Sequence, residues 1–246
     1  MISLSVNVNK IATLRNSRGG DIPNLIQYTE IVMNSGVQGI TVHPRSDERH
    51  ITKKDVYDLK DCIDQFNLKN KNKIEYNIEG APEKRFQELV LDIKPDQATL
   101  VPVKEGEITS DHGFDLKKED KYLFQIIESF QKENIRVSLF LEPLVDQIPL
   151  AKKYGANRIE FYTGPFAVEF KNGRGEKSFE KYKEAALVAI KTGLEINAGH
   201  DLDEENLLIF KNLPSLKEVS IGHRLISSSL LYGLENTIKK YLAVLT

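Results

Sequence analysis

The stretch Gly36-Val37-Gln38-Gly39-Ile40-Thr41-Val42-His43 reads as a helix stop, a strand and an exit residue. Glycine accepts the left-handed C′ conformation that ends a helix. Val37–Val42 is a β-branched, apolar run of strand length. The same signature returns at Gly155-Ala156 and Gly193-Leu194, a weak internal repeat. Outward from it, strand and helix patterns alternate along the whole chain. Strands are expected at about 2–8, 37–42, 74–78, 97–101, 137–141, 158–162, 194–197 and 219–221. Between them run helical patterns, such as Leu25, Ile26, Thr29, Val32 and Met33, or Val56, Leu59, Ile63 and Phe66. The last helix is expected to run unbroken from Leu225 to Leu242. Eight strand–helix units predict an α/β fold, a single closed (β/α)8 barrel over residues 1–246. The open doubly wound sheet is the main rival, and its spaced glycine triplet after the first strand is absent.

Composition narrows the class. With 40% hydrophobic and 28% charged residues, the 246-residue chain falls among soluble globular proteins. A net charge of −2 and scattered basic residues give no sign of a nucleic-acid or membrane partner. Cys62 is the only cysteine, so no internal disulfide can form. The sequence shows no signal-peptide pattern and no apolar run near the ~18 residues of a membrane span, so a cytoplasmic location is expected.

All five histidines, His43, His50, His112, His200 and His223, fall at or just past a predicted strand end, and none inside a predicted helix. Barrels collect their chemistry at the carboxyl ends of the strands. The strand exits also carry Asn7 and Asn9, Arg45, Glu79, Glu142, Glu160, Asn197 and Gly222. Asn7 and Asn197 have an alternative reading as turn residues that bond their own backbone. Glu142, before Pro143, reads as a solvated loop residue. Glu79 closes an apolar strand, where desolvation raises a carboxyl pKa toward acid/base use.

Two segments suit phosphate. Thr13-Leu14-Arg15-Asn16-Ser17-Arg18-Gly19-Gly20 reads as a loop offering arginine forks and open backbone N–H groups. Gly222-His223 precedes the last helix, whose N-terminus favours anions. Gly173-Arg174-Gly175 is a third candidate anion contact, or a lid, or a plain turn. Together they suggest phosphorylated small-molecule substrates.

The ordered set of segments resembles the pyridoxine 5′-phosphate synthase family. It comprises Val6–Asn16 with Arg18-Gly19, Gly39–Arg45 with Asp47–Ile51, Asn77-Ile78-Glu79, Leu100-Val101-Pro102, Val137–Phe140, Ile159-Glu160 with Thr163-Gly164, Asn197–His200 and Ile221-Gly222-His223. The resemblance implies a (β/α)8 barrel with a few extra helices, assembled as a homo-octamer. It implies condensation of 3-amino-2-oxopropyl phosphate with 1-deoxy-D-xylulose 5-phosphate to pyridoxine 5′-phosphate, phosphate and water. No metal is expected because the sequence has no compact ligand motif, and no cofactor because histidines and a raised-pKa glutamate can supply the proton transfers. His43, Glu79 and His200 would be the acid/base residues, and Glu160 would stabilise charge. Asn7, Arg18, Gly222 and His223 would hold the amino ketone phosphate. Arg45, His50 and Thr109 would hold the deoxyxylulose phosphate.

Two departures stand out. Asn9-Lys10 replaces the Asp-His of many members; Asn9 can still bond a sugar hydroxyl and Lys10 can still contact phosphate, but neither keeps the charge or proton chemistry replaced. Asp201 stands at a substrate-contacting position where glycine is commoner. Its carboxylate is expected to turn away from phosphate and cap the next helix. Other readings of the same residues are a metal-dependent barrel hydrolase using His43, His200, His223 and a carboxylate, and a non-catalytic phosphosugar-binding barrel. The hydrolase's usual His-x-His at the first strand is replaced by Asn7-Val8-Asn9.

Overall fold

A computed structural model describes residues 1–103, 110–118 and 121–246. Its strands are β1 (Ser3–Asn7), β2 (Gly39–Val42), β3 (Glu75–Gly80), β4 (Gln97–Leu100), β5 (Arg136–Leu141), β6 (Arg158–Tyr162), β7 (Glu195–Gly199) and β8 (Leu216–Ile221). Each pairs in parallel with its sequence neighbours, and β8 pairs back onto β1, so the sheet closes into a barrel. The helices are α1 (Asn9–Asn16), α2 (Leu25–Asn34), α3 (Lys53–Lys69), α4 (Lys84–Ile93), α5 (Lys121–Lys132), α6 (Ile148–Lys153), α7 (Gly164–Lys171), α8 (Gly175–Thr192), α9 (Leu207–Phe210), α10 (His223–Tyr232) and α11 (Leu234–Leu245). The expected fold class is the one observed. Gly36, Gly155 and Gly193 have φ of 94°, 94° and 71°, the left-handed values the helix-stop reading requires.

Strand alternation sorts the side chains. Leu4 and Val6, Ile40 and Val42, Tyr76 and Ile78, Ile159 and Phe161, and Val219 and Ile221 join the hydrophobic core shared with the helices. The intervening residues share the lumen, and they are polar. Ser5 and Thr41 hydroxyls are 2.7 Å apart, Asn77 Nδ2 donates to Thr41 Oγ1, and Thr99 Oγ1 donates to Asn77 Oδ1 at 3.0 Å. Below them, at the strand starts, Arg136 donates to Gln97 Oε1 (2.9 Å) and Glu75. Arg158 donates to Glu195 (2.8 Å), Gln97 (3.1 Å) and Glu218 (3.5 Å). This charged layer closes the amino-terminal end of the barrel.

Three helical assignments differ from expectation. Thr13–Asn16 is not loop but the end of α1, a short helix burying only Asn9, Ile11 and Ala12. Such a narrow apolar stripe leaves little periodic signal. α7 opens with Pro165 in its first turn, where the missing N–H costs nothing. The carboxyl-terminal helix is two helices, because Gly233 (φ 79°, ψ 149°) interrupts it.

Candidate active site

The carboxyl end of the barrel gathers His43, Glu79, Glu160, Asn197 and His200. His43 follows β2 directly, and its backbone N–H donates to Asn9 Oδ1 at 3.0 Å. Asn9 is therefore buried at the start of α1, with its carbonyl oxygen engaged in fixing the His43 backbone. His43 Nδ1 lies 3.8 Å from Glu79 Oε2. Burial, with positive charge from His50 and Arg45, pushes the His43 pKa down to about 3, so its imidazole is neutral near pH 7. Glu79 lies inside β3 rather than past its end. Burial and then the negative charge of Glu218 push its carboxyl well up, into the neutral range.

Glu160, on β6, is 3% exposed and is raised well above the usual carboxylate range, through burial first and then Glu79 and Glu218. Its Oε2 has no hydrogen-bond partner among the described residues, and neither amide atom of Asn197 has one. Asn197 is not a turn residue; it sits inside β7 and is fully buried. Unpartnered buried polar atoms cost about 1–3 kcal/mol each and mark groups kept for a purpose other than stability. Gly199 leaves room for this carboxyl: a Cβ there would stand 2.4 Å from Glu160 Oε1.

His50 is buried beside His43, the rings edge-on at 6.3 Å. Its Nδ1 accepts from Ile51 N–H at 2.9 Å, and burial with Lys10 nearby lowers its pKa to about 4. Two side chains grip the loop around it: Asn16 Nδ2 donates to the His50 carbonyl at 2.8 Å, and Arg15 Nη2 does so at 3.4 Å. Arg15 is thereby removed from the anion-loop reading. Its guanidinium forks onto Asp55 at 2.6 and 2.8 Å, and Asp55 also closes the capping box of α3 with Thr52. Of that segment Ser17, Arg18 and Gly19 lie exposed on a turn, with Gly20 exposed at the bend that follows. Lys10 is exposed on α1 and acts electrostatically on both His50 and His223. Asn7 ends β1, its Oδ1 accepts from Asn9 N–H, and its side chain packs against Gly222. Gly222 caps α10, so His223 is the first residue of that helix rather than a residue ahead of it. Arg45 half-faces a small cavity with His43, Pro44, Ser46 and Arg85.

Asp201 does not cap the next helical turn. Asp203 does, its Oδ1 accepting from Glu205 and Asn206 N–H at 3.2 and 2.9 Å. Gly173 and Arg174 lie in the turn between α7 and α8, Gly175 opens α8, and Arg174 pairs with Glu169 at 2.5 and 2.8 Å. His112 stays apart, 2.9 Å from Asp111. Thr109 lies outside the described residues.

Sequence reasoning passed over Arg85 and Glu218. Arg85, from α4, donates to the Pro44 carbonyl at 2.5 Å and so holds the chain between His43 and Arg45. Glu218 is buried below Glu79 and Glu160, and burial raises it to about 7 against the pull of Arg158. The alternation of Glu218 and Ser220 with Val219 and Ile221 was the available signal for a lumen-facing pair.

A closed parallel barrel whose strand ends gather buried imidazoles and carboxyls defines a (β/α)8-barrel enzyme. The family model for the pyridoxal phosphate biosynthesis protein PdxJ matches residues 4–246, and the chain belongs to that family. It is 56% identical to a pyridoxine 5′-phosphate synthase of Leptospira biflexa serovar Patoc, covering 100% of this chain and 98% of the relative. It is 49% identical to a protein of the same name from Flavobacterium johnsoniae, with 98% of each covered. Among solved structures, 3-hexulose-6-phosphate synthase from Salmonella typhimurium superposes with a TM-score of 0.66 at 14% identity, covering 99% of this chain and 98% of that one. At that identity the likeness concerns the fold alone.

Proposed function

We propose that this chain condenses 3-amino-2-oxopropyl phosphate with 1-deoxy-D-xylulose 5-phosphate, giving pyridoxine 5′-phosphate, phosphate and water. Family membership supports the reaction, and the observation that carries the chemistry is the buried trio His43, Glu79 and Glu160. The amine of one substrate must attack the ketone of the other. Protons must then leave and join carbon and oxygen as phosphate and water depart. Near pH 7 His43 is a neutral acceptor and Glu79 a protonated donor, 3.8 Å apart. Groups poised in opposite protonation states can pass protons to and from substrate atoms held between them. His200, from the end of β7, is assigned as a third acid/base residue. Glu160 lies deeper; burial favours its neutral form, and on giving up that proton it would become a carboxylate able to stabilise a transient positive charge.

Asn7, Arg18, Gly222 and His223 are assigned to the amino ketone phosphate, the last two at the N-terminus of α10, where the helix end favours an anion. Arg45, His50 and Thr109 are assigned to the deoxyxylulose phosphate, with Lys10 adding positive charge near His50. Asn9 serves these contacts by fixing the His43 backbone. The hydrolase reading finds less support. Among the described residues no group of three histidine, cysteine, aspartate or glutamate side chains is arranged to hold a metal ion.

No described helix is long and apolar enough to cross a membrane. A cytoplasmic, homo-octameric enzyme belongs to the same reading, and the exposed run Leu230-Leu231-Tyr232 at the end of α10 offers apolar surface for assembly. The test is to mix the purified protein with both substrates and follow pyridoxine 5′-phosphate by mass spectrometry, with and without exhaustive chelation. Product in both arms is expected. Absence of product refutes the reaction, and product restored only by added metal refutes the metal-free chemistry.

A further inference from the structure

We propose that Asp201 is a positioning residue: its carboxylate holds His200 at Nδ1 and leaves Nε2 as the nitrogen that exchanges protons with substrate. The role of His200 itself rests on the reaction proposed above. Asp201 Oδ2 stands 3.2 Å from His200 Nδ1, a close polar contact that a small rotation of the carboxylate would align into a hydrogen bond, and Oδ1 stands 4.0 Å from Arg224 Nε. The two oxygens are thus divided between an imidazole and a guanidinium.

The backbone is bent to make this possible. His200 and Asp201 have φ of 87° and 58°, left-handed values that aspartate tolerates better than most residues but that still favour glycine. The bend is pinned on both sides. Thr163 Oγ1 donates to the carbonyls of Gly199 (2.6 Å) and His200 (2.5 Å). Asn206 Nδ2 donates to the Asp201 carbonyl at 3.0 Å. The Tyr162 ring meets the imidazole edge-on at 5.0 Å. With its backbone fixed and helix capping left to Asp203, the Asp201 side chain is directed onto the imidazole.

Chemistry gives the contact its meaning. An acceptor at Nδ1 selects the neutral tautomer with hydrogen on Nδ1, which places the basic lone pair on Nε2. The carboxylate stays ionised, held below the usual aspartate value first by the His200 imidazole beside it, with Arg224 adding to the effect. Arg224, on the first turn of α10, also offsets the negative charge beside the helix end assigned to phosphate. A carboxylate at this place is thereby compatible with an anion nearby.

The test compares wild type with Asp201→Gly, which suits the positive φ and so should fold, and with Asp201→Asn, which keeps an acceptor oxygen. Long-range 1H–15N spectra of the imidazoles, recorded without substrates, should show His200 mainly Nδ1–H in wild type and shifted toward Nε2–H in Asp201→Gly. Asp201→Gly should lose about tenfold in kcat, as when the group orienting a working histidine is removed, with KM for each substrate within about twofold. Asp201→Asn should recover much of the tautomer and part of the rate. An unchanged tautomer in Asp201→Gly overturns the proposal whatever the rates. A raised KM with unchanged kcat also overturns it and makes Asp201 a direct substrate contact. Because the spectra need no turnover, failure of the proposed reaction and failure of this inference are separable.

Discussion

The two ends of the barrel bury the same kinds of group and treat them in opposite ways. At the strand starts, Arg136 and Arg158 are matched by Glu75, Glu195, Glu218 and Gln97. At the strand ends, Glu79, Glu160 and Asn197 are buried with little or no partnership, and His43 faces Glu79 only at 3.8 Å. A matched network fixes structure and holds Arg136, Arg158 and Glu195 charged, while Glu218, buried at its inner edge, is raised to about 7. An unmatched one costs stability and leaves groups neutral, poised to move protons. The comparison teaches that partnership, rather than residue type or burial, separates the structural end from the reactive one.

The largest expected effect lies at the reactive end. Glu79→Gln keeps shape and hydrogen-bonding capacity but cannot exchange a proton, so kcat should fall about 10²–10⁴-fold. Substrate binding by calorimetry should be little changed. If turnover stayed within a few-fold of wild type, Glu79 would be a structural residue after all.

At the structural end, Arg158→Met should leave Glu218 buried without its cation and lower stability by about 3–5 kcal/mol. Chemical denaturation measures this. Loss of kcat in the folded variant should be far smaller than for Glu79→Gln.

The pH dependence of stability follows from the unmatched end. Glu160 binds its proton more tightly folded than unfolded. Its contribution is complete below the usual carboxylate range and is lost as pH rises through its folded value. His43 and His50, lowered to about 3 and about 4, behave oppositely: their contribution is present above about 6.5 and is lost as pH falls through those values. The melting temperature of Glu160→Gln should therefore decline less than that of wild type on the alkaline side, and alike on the acid side. Parallel alkaline slopes would mean that Glu160 is ionised in the folded enzyme.

The smallest effect is expected outside both ends. Arg174→Ala removes only an exposed pair with Glu169, so stability should change by less than about 1 kcal/mol and KM for both phosphorylated substrates should hold. A raised KM would restore the anion-contact reading of the Gly173–Gly175 turn.

The fold was legible because each strand of the barrel is short, apolar on its outer face and followed by a helix with a clear stripe. His43, Glu79 and His200 were legible because chemistry-bearing residues stood at strand ends. What escaped notice depends on contacts between distant residues. Arg15 looks like a phosphate ligand until Asp55, forty positions on, is brought against it. Asn197 looks like a turn residue until β7 extends through it into the lumen. The family resemblance marked Asp201 as a departure, but only the bend at 200–201 shows which side chain it meets.

The central claim is that the carboxyl end of the barrel holds a proton on Glu79 in the resting enzyme at neutral pH. Infrared difference spectra between wild type and Glu79→Gln at pH 7 test it directly. The account predicts a protonated-carboxyl band in wild type that vanishes in the variant and declines as pH rises. Loss of a carboxylate band alone, at pH 7 and at pH 6, would contradict it.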